Sequence, residues 1–92
     1  MKLHNFNSGP SILPPVVMQK AAEAIMDFEG SGLSILEIGH RTSLFQDVMQ
    51  EAVQSVKTLM QIGDDYEVLF LHGGATTQFM QVPMNLLDTH ET

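Results

Sequence analysis

No cysteine and no tryptophan occur in the 92 residues, and lysine and arginine together number only four. The absence of cysteine excludes a disulfide framework, a zinc ribbon and a thiol nucleophile together. The four histidines, His4, His40, His72 and His90, show no metal-ligand spacing, so no metal is expected. Eleven acids against Lys2, Lys20, Arg41 and Lys57 leave a net charge of −7. Nucleic-acid binding needs clustered lysine and arginine, and so does docking on anionic membranes; neither partner is expected. No stretch approaches the ~18 apolar residues of a membrane span, and MKLHNFNSGP lacks the apolar core of a secretory signal. A soluble, cytoplasmic chain is the expectation.

An apolar content of 43% argues against disorder. A chain this short buries only about 60–65% of its unfolded surface, so a free-standing fold would be marginal.

Residues 1–14 are rich in turn formers and read as an extended arm with a turn at Ser8-Gly9-Pro10. Pro14-Pro15 opens a helix, because proline suits a first turn where its missing N–H is not required. Val17, Ala21, Ile25 and Phe28 line one face of that helix, and Gly30 and Gly32 end it. Leu33 to Gly39 is a short apolar stretch containing Glu37. A second helix starts at Ser43, whose spacing to Gln46 makes a capping-box signature. Phe45, Met49, Ala52, Val56, Leu59 and Met60 share its face, and Gly63 stops it. Asp64-Asp65 marks a turn, Glu67 to His72 reads as a strand, and residues 75–82 read as a helix that Pro83 ends or kinks. The tail from Asp88 to Thr92 is polar and reads as an exposed loop open to nicking.

A single strand makes no sheet. VLFL at Val68–Leu71 is apolar on both faces, as in a strand buried within a parallel sheet. Its partners would have to come from residues outside these 92.

The corner Gly73-Gly74-Ala75-Thr76-Thr77 carries chemistry on one reading and none on another. A strand entering a helix through small residues leaves backbone N–H groups free at the helix N-terminus, where the dipole favours a phosphate. The same pattern also suits a tight strand–helix turn capped by Thr76 or Thr77. Neither the dinucleotide nor the P-loop glycine pattern is present. Arg41, the single arginine, is either a fork for carboxylate or phosphate, or a surface partner for one of the acids. His40 taken alone reads more often as a satisfied, partly buried histidine, and His72, at the strand end, either orients the loop or contacts a ligand. Ser8-Gly9-Pro10 is either a plain turn or an arm offering N–H groups to a ligand.

FNSGPSILP at Phe6–Pro14, EIGHR at Glu37–Arg41 and LFLHGGATTQFMQVPMNLL at Leu69–Leu87 resemble the phosphoserine aminotransferase family, in that order and at similar spacing. The resemblance covers nearly the whole chain. It implies an α/β architecture, the N-terminal part of a pyridoxal 5'-phosphate-dependent transferase of aspartate-aminotransferase-like fold. Residues 1–14 would be the arm and 15–92 the first, incomplete portion of the large cofactor-binding domain, with one strand–helix unit. The family is homodimeric and moves an amino group from L-glutamate to 3-phosphohydroxypyruvate, giving O-phospho-L-serine and 2-oxoglutarate in serine biosynthesis. Some bacterial members also act on a phosphorylated hydroxy-oxobutanoate in pyridoxine biosynthesis.

By position, the resemblance implies that Gly74, Ala75 and Thr76 hold the cofactor phosphate. It implies that His40 and Arg41 bind the substrate's acidic groups, and that Ser8 approaches the active site. Many relatives read GGGRGQF, with arginine where this chain has Thr76, so the phosphate anchor here would rest on neutral donors. No lysine of this chain stands in the context of the family's catalytic lysine, which would belong to a companion polypeptide of roughly 270 residues. On this reading the 92 residues alone are not an active enzyme. The alternative is a stand-alone phosphate- or ligand-binding module, or an inactive remnant, without catalysis.

Overall fold

The computed structural model describes residues 1–87; the polar tail read at 88–92 lies outside them. Three α-helices follow one another: α1 at Pro15–Met26, α2 at Ser43–Met60 and α3 at Gly74–Leu86, with a 3-10 turn at Ile35–Glu37 between α1 and α2. The chain divides inside α2 into two compact units, Met1–Met49 and Gln50–Thr92.

In the first unit, proline stands at the head of α1 as expected, and Val17 donates its N–H to the Pro14 carbonyl at 3.0 Å. The end of α1 differs from the sequence reading. Asp27 closes the helix with its N–H on the Glu23 carbonyl at 2.9 Å, so Gly30 and Gly32 lie beyond it. They serve the following loop instead, at φ +73° and +76°. That loop is tied by the Phe28 N–H to the Leu33 carbonyl (2.7 Å) and the Gly32 N–H to the Asp27 carboxylate (2.8 Å). Phe28 thereby turns inward after the helix has ended and is the only buried side chain among the described residues. Val17 and Ile25, expected on the same buried face, stay 43% and 47% exposed.

A reciprocal capping box closes the 3-10 turn. The Leu36 N–H donates to Ser34 Oγ at 3.2 Å, and the Ser34 N–H donates to Glu37 Oε2 at 2.8 Å. The sequence shows this spacing at Ser34–Glu37 as plainly as at Ser43–Gln46. At α2 the expected cap is displaced by one residue. Thr42 Oγ1, not Ser43, accepts the Phe45 N–H at 3.4 Å, while Ser43 is already helical.

Half-buried positions of α2 are Leu44, Phe45, Val48, Ala52, Val53, Val56 and Lys57, whereas Leu59 and Met60 are exposed. Gly63 does not terminate α2. Gln61, at φ +55°, takes the left-handed position; its N–H reaches the Thr58 carbonyl (3.2 Å) and the Ile62 N–H reaches Lys57 (3.0 Å). That pair of bonds is a Schellman cap, which glycine ordinarily occupies. Replacing Gln61→Gly should therefore stabilise the fold by about 0.5–1 kcal/mol, the relief of left-handed strain less the added chain entropy. Thermal unfolding of the assembled protein measures it, and an unchanged or lowered midpoint would contradict the cap. Beyond it, Lys57 Nζ meets Asp64 at 3.2 Å. Asp64 is fully exposed, and pairs of that kind contribute little.

The expected strand at Glu67–His72 is not formed: no strand occurs among the described residues. Residues 67–71 carry no regular structure, because a strand exists only through ladder bonds to a neighbour and none is at hand. The helix after the glycine corner is longer than residues 75–82. Pro83 sits inside α3, and the Leu87 N–H still reaches the Pro83 carbonyl at 2.9 Å. Proline at this position removes the bond its own N–H would have made and crowds the carbonyl one turn earlier, yet the helix closes one further turn past it.

Candidate functional site

The head of α3 is built by two consecutive glycines. Gly73 lies at φ +98° and Gly74 at φ +59°, values that residues with a Cβ rarely adopt. Gly73 occupies the N-cap position, and no side chain caps the helix, so Thr76 and Thr77 do not play the capping role open to them in sequence. The first helical bond runs from the Thr77 N–H to the Gly73 carbonyl at 3.3 Å. Helix geometry then leaves the N–H groups of Gly74, Ala75 and Thr76 without intrahelical partners. These are the three residues singled out for a phosphate. Thr77 is half-buried, packed over Gly73, where any side chain would collide with it. Thr76 is exposed, and the first turn holds no acid. The result is an exposed cluster of uncharged donors at the positive end of a helix dipole, suited to an anion.

His40 and Arg41 lie in the turn that leads into α2. The Thr42 N–H donates to the Gly39 carbonyl at 3.0 Å and Thr42 Oγ1 to the same oxygen at 2.7 Å, closing that turn. The Arg41 carbonyl accepts the Gln46 side-chain amide at 3.4 Å. The backbone is thus fixed from both sides while both side chains remain exposed. Arg41 forms no ion pair among the described residues; Lys57–Asp64 is the one such pair there.

Ser8 stands at the tip of a closed loop. Asn5 spans its base: the Asn5 carbonyl accepts the Ile12 N–H at 3.1 Å and Ser11 Oγ at 3.0 Å, and Asn5 Nδ2 donates to the Pro10 carbonyl at 2.7 Å. Gly9, at φ +89°, makes the reversal.

Ser8, His40 and Arg41 belong to the Met1–Met49 unit, and Gly74, Ala75 and Thr76 to the Gln50–Thr92 unit. Sequence reasoning placed Gly73 in the corner without its contact with Thr77 and gave no role to Thr42 or Asn5, each of which shapes the backbone that a predicted site residue occupies. The doubled glycine and an asparagine three residues before a Ser-Gly-Pro turn were the available signals. No group of three or more histidine, aspartate or glutamate side chains gathers in metal-binding geometry among the described residues. No helix there is long and apolar enough to cross a membrane.

Residues 3–92 match the aminotransferase class-V family. A phosphoserine aminotransferase from Phocaeicola vulgatus is 56% identical over 88 residues, which are 96% of this chain and 25% of that protein. Among solved structures, phosphoserine aminotransferase from Bacillus circulans subsp. alkalophilus superposes with a TM-score of 0.84 at 39% identity, covering 95% of this chain and 24% of that one. The pyridoxal-phosphate-bound phosphoserine aminotransferase from Trichomonas vaginalis gives a TM-score of 0.85 at 31% identity, over 97% of this chain and 24% of that one. The chain spans about a quarter of the length of the curated relatives it matches.

Proposed function

Since the chain belongs to the class-V aminotransferase family and has the N-terminal part of its fold, we propose that it is the N-terminal quarter of a phosphoserine aminotransferase. In this reading residues 1–14 are the arm and 15–92 the opening portion of the large domain. The whole enzyme transfers the amino group of L-glutamate to 3-phosphohydroxypyruvate, forming O-phospho-L-serine and 2-oxoglutarate. It acts as a cytoplasmic homodimer, and the related phosphorylated hydroxy-oxobutanoate of pyridoxine biosynthesis is a second substrate to assay.

The observation that carries the reading is the coincidence at α3. The three amides freed by helix geometry are those of Gly74, Ala75 and Thr76, where the motif resemblance puts the cofactor phosphate. Pyridoxal 5'-phosphate, when bound, supplies the electron sink that amino transfer requires. The residues present fit its phosphate: three N–H donors left free at the helix head, the exposed Thr76 hydroxyl, and open space beside Gly74, where a Cβ would meet nothing within 4 Å. Their part is to anchor. Arg41 takes the substrate's phosphate or carboxylate by its planar fork, and the closed Gly39–Thr42 turn holds it at a fixed place ahead of α2. His40 lends a further donor to the same acidic groups. The lysine that carries the cofactor comes from the companion part of the enzyme.

Full-length protein supplied with the cofactor should convert L-glutamate and 3-phosphohydroxypyruvate to 2-oxoglutarate. Cofactor-loaded protein that transfers no amino group to this acceptor would overturn the assignment. Replacing Arg41→Ala should raise the KM for the phosphorylated substrate about tenfold to a hundredfold, the worth of a charged hydrogen bond. Cofactor absorbance should stay intact. Loss of the cofactor with an unchanged KM would remove Arg41 from the substrate site.

A further inference from the structure

We infer that Asn5 is a positioning residue for the substrate's anionic end, acting through the Ser8-Gly9 tip of the arm. The inference rests on the aminotransferase reading above. Among residues 1–14, Asn5 alone is half-buried rather than exposed. It is also where the loop's bonds meet. Its side-chain amide donates to the Pro10 carbonyl at 2.7 Å, its Oδ1 accepts the Asn7 N–H at 3.0 Å, and its backbone carbonyl takes Ile12 N–H and Ser11 Oγ. Proline has no N–H, so Pro10 can be tied down only through its carbonyl, and Asn5 is what ties it.

The bonds that close the loop leave its tip free. Ser11 N–H reaches back to the Gly9 carbonyl at 2.8 Å. The Ser8 N–H, the Ser8 hydroxyl and the Gly9 N–H carry no hydrogen bond among the described residues. Three donors and no cationic group at one exposed turn suit an anionic oxygen, of a phosphate or of a carboxylate. Fixing such donors before the ligand arrives removes an ordering cost from binding. Asparagine is the residue type that closes the loop from both sides, since its amide offers a donor and an acceptor together.

The test is calorimetry on the full-length, cofactor-loaded enzyme with two anions that cannot undergo amino transfer, 3-phosphoglycerate and glutarate. Asn5→Ala removes both side-chain bonds. Asn5→Asp keeps the shape and the acceptor for Asn7 but loses the donor to Pro10, which guards against simple misfolding. Both variants should bind 3-phosphoglycerate about tenfold more weakly, with Tm and cofactor absorbance unchanged. A loss confined to 3-phosphoglycerate assigns the tip donors to phosphate, and an equal loss for glutarate assigns them to carboxylate. Affinities within twofold of the unsubstituted enzyme, or a loss that follows a lowered Tm and lost cofactor, would overturn the positioning role. An unsubstituted enzyme that binds neither anion would overturn the aminotransferase reading, and this inference with it.

Discussion

On the proposed function, replacing Gly73→Ala should strip the assembled enzyme of its cofactor, weakening binding by about a hundredfold or more. Two independent terms combine. At φ +98° an alanine is held in backbone that favours glycine, at about 1–2 kcal/mol. The added methyl group would also lie 2.6 Å from Thr77 Cβ and closer still to its hydroxyl. Relieving an overlap of that kind costs about 1–3 kcal/mol. Each 1.4 kcal/mol is about a factor of ten in affinity. Relaxation would rotate the first turn of α3, and with it the amides of Gly74, Ala75 and Thr76. The neighbouring Gly74→Ala is the control. It shares the left-handed backbone at φ +59° but meets nothing within 4 Å, so it should cost only about tenfold. Thr77→Gly added to Gly73→Ala should recover part of the loss by removing the overlap. Titration of cofactor into apoenzyme, followed by absorbance, ranks the variants. Equal damage from Gly73→Ala and Gly74→Ala would mean that the contact with Thr77 is immaterial.

The second large effect concerns the 92 residues on their own. Phe28 is the one buried side chain among the described residues, while Leu69, Phe70, Leu71, Phe79, Val82, Met84 and Leu86 are each at least half exposed. Fully burying such a side chain contributes about 1.5–3 kcal/mol, so these seven, 50–84% exposed, withhold about 7–14 kcal/mol. That is the size of a whole domain's stability, about 5–15 kcal/mol. The isolated polypeptide should therefore unfold in urea without a sharp transition, with a slope below the ~1–3 kcal/mol/M of small cooperative proteins. Co-expression with the remainder of the enzyme should restore one. A monomeric 92-residue chain that unfolds sharply would sink the fragment reading and favour a stand-alone binding module.

The same imbalance separates what was legible in the sequence from what was not. Helices are local objects. Proline at the start of α1, and the apolar positions from Phe45 to Val56 of α2, announce themselves because the bonds that form a helix join residues a few positions apart. A strand is not local, and VLFL promised one whose ladder depends on chain beyond these residues. Helix ends fell between the two. Thr42 rather than Ser43 caps α2, and Gln61 rather than Gly63 closes it; both choices hang on backbone dihedrals that residue preferences bias without deciding. Pro83 was read as ending or kinking the helix, yet α3 runs past it to Leu86 and closes with the Leu87 N–H on the Pro83 carbonyl. At the candidate site, the spacing of the glycine corner left both a plain turn and an anion site open, and Gly74, Ala75 and Thr76 were singled out only through the motif resemblance. Gly73, which shapes their backbone through the clash any larger residue would make with Thr77, became visible only in three dimensions.

On the proposed reading, the uncharged head of α3 divides labour with Arg41. The attraction of a helix terminus fades within about one turn, so these amides grip a phosphate that has already arrived and draw nothing in from solution. A full guanidinium charge reaches about 8 Å at physiological ionic strength. Capture from a distance thus falls to the exposed arginine, and retention falls to donors that carry no charge of their own. Occupancy of the cofactor is then set by how slowly it departs, and traffic of the acidic substrates by how quickly they are drawn in.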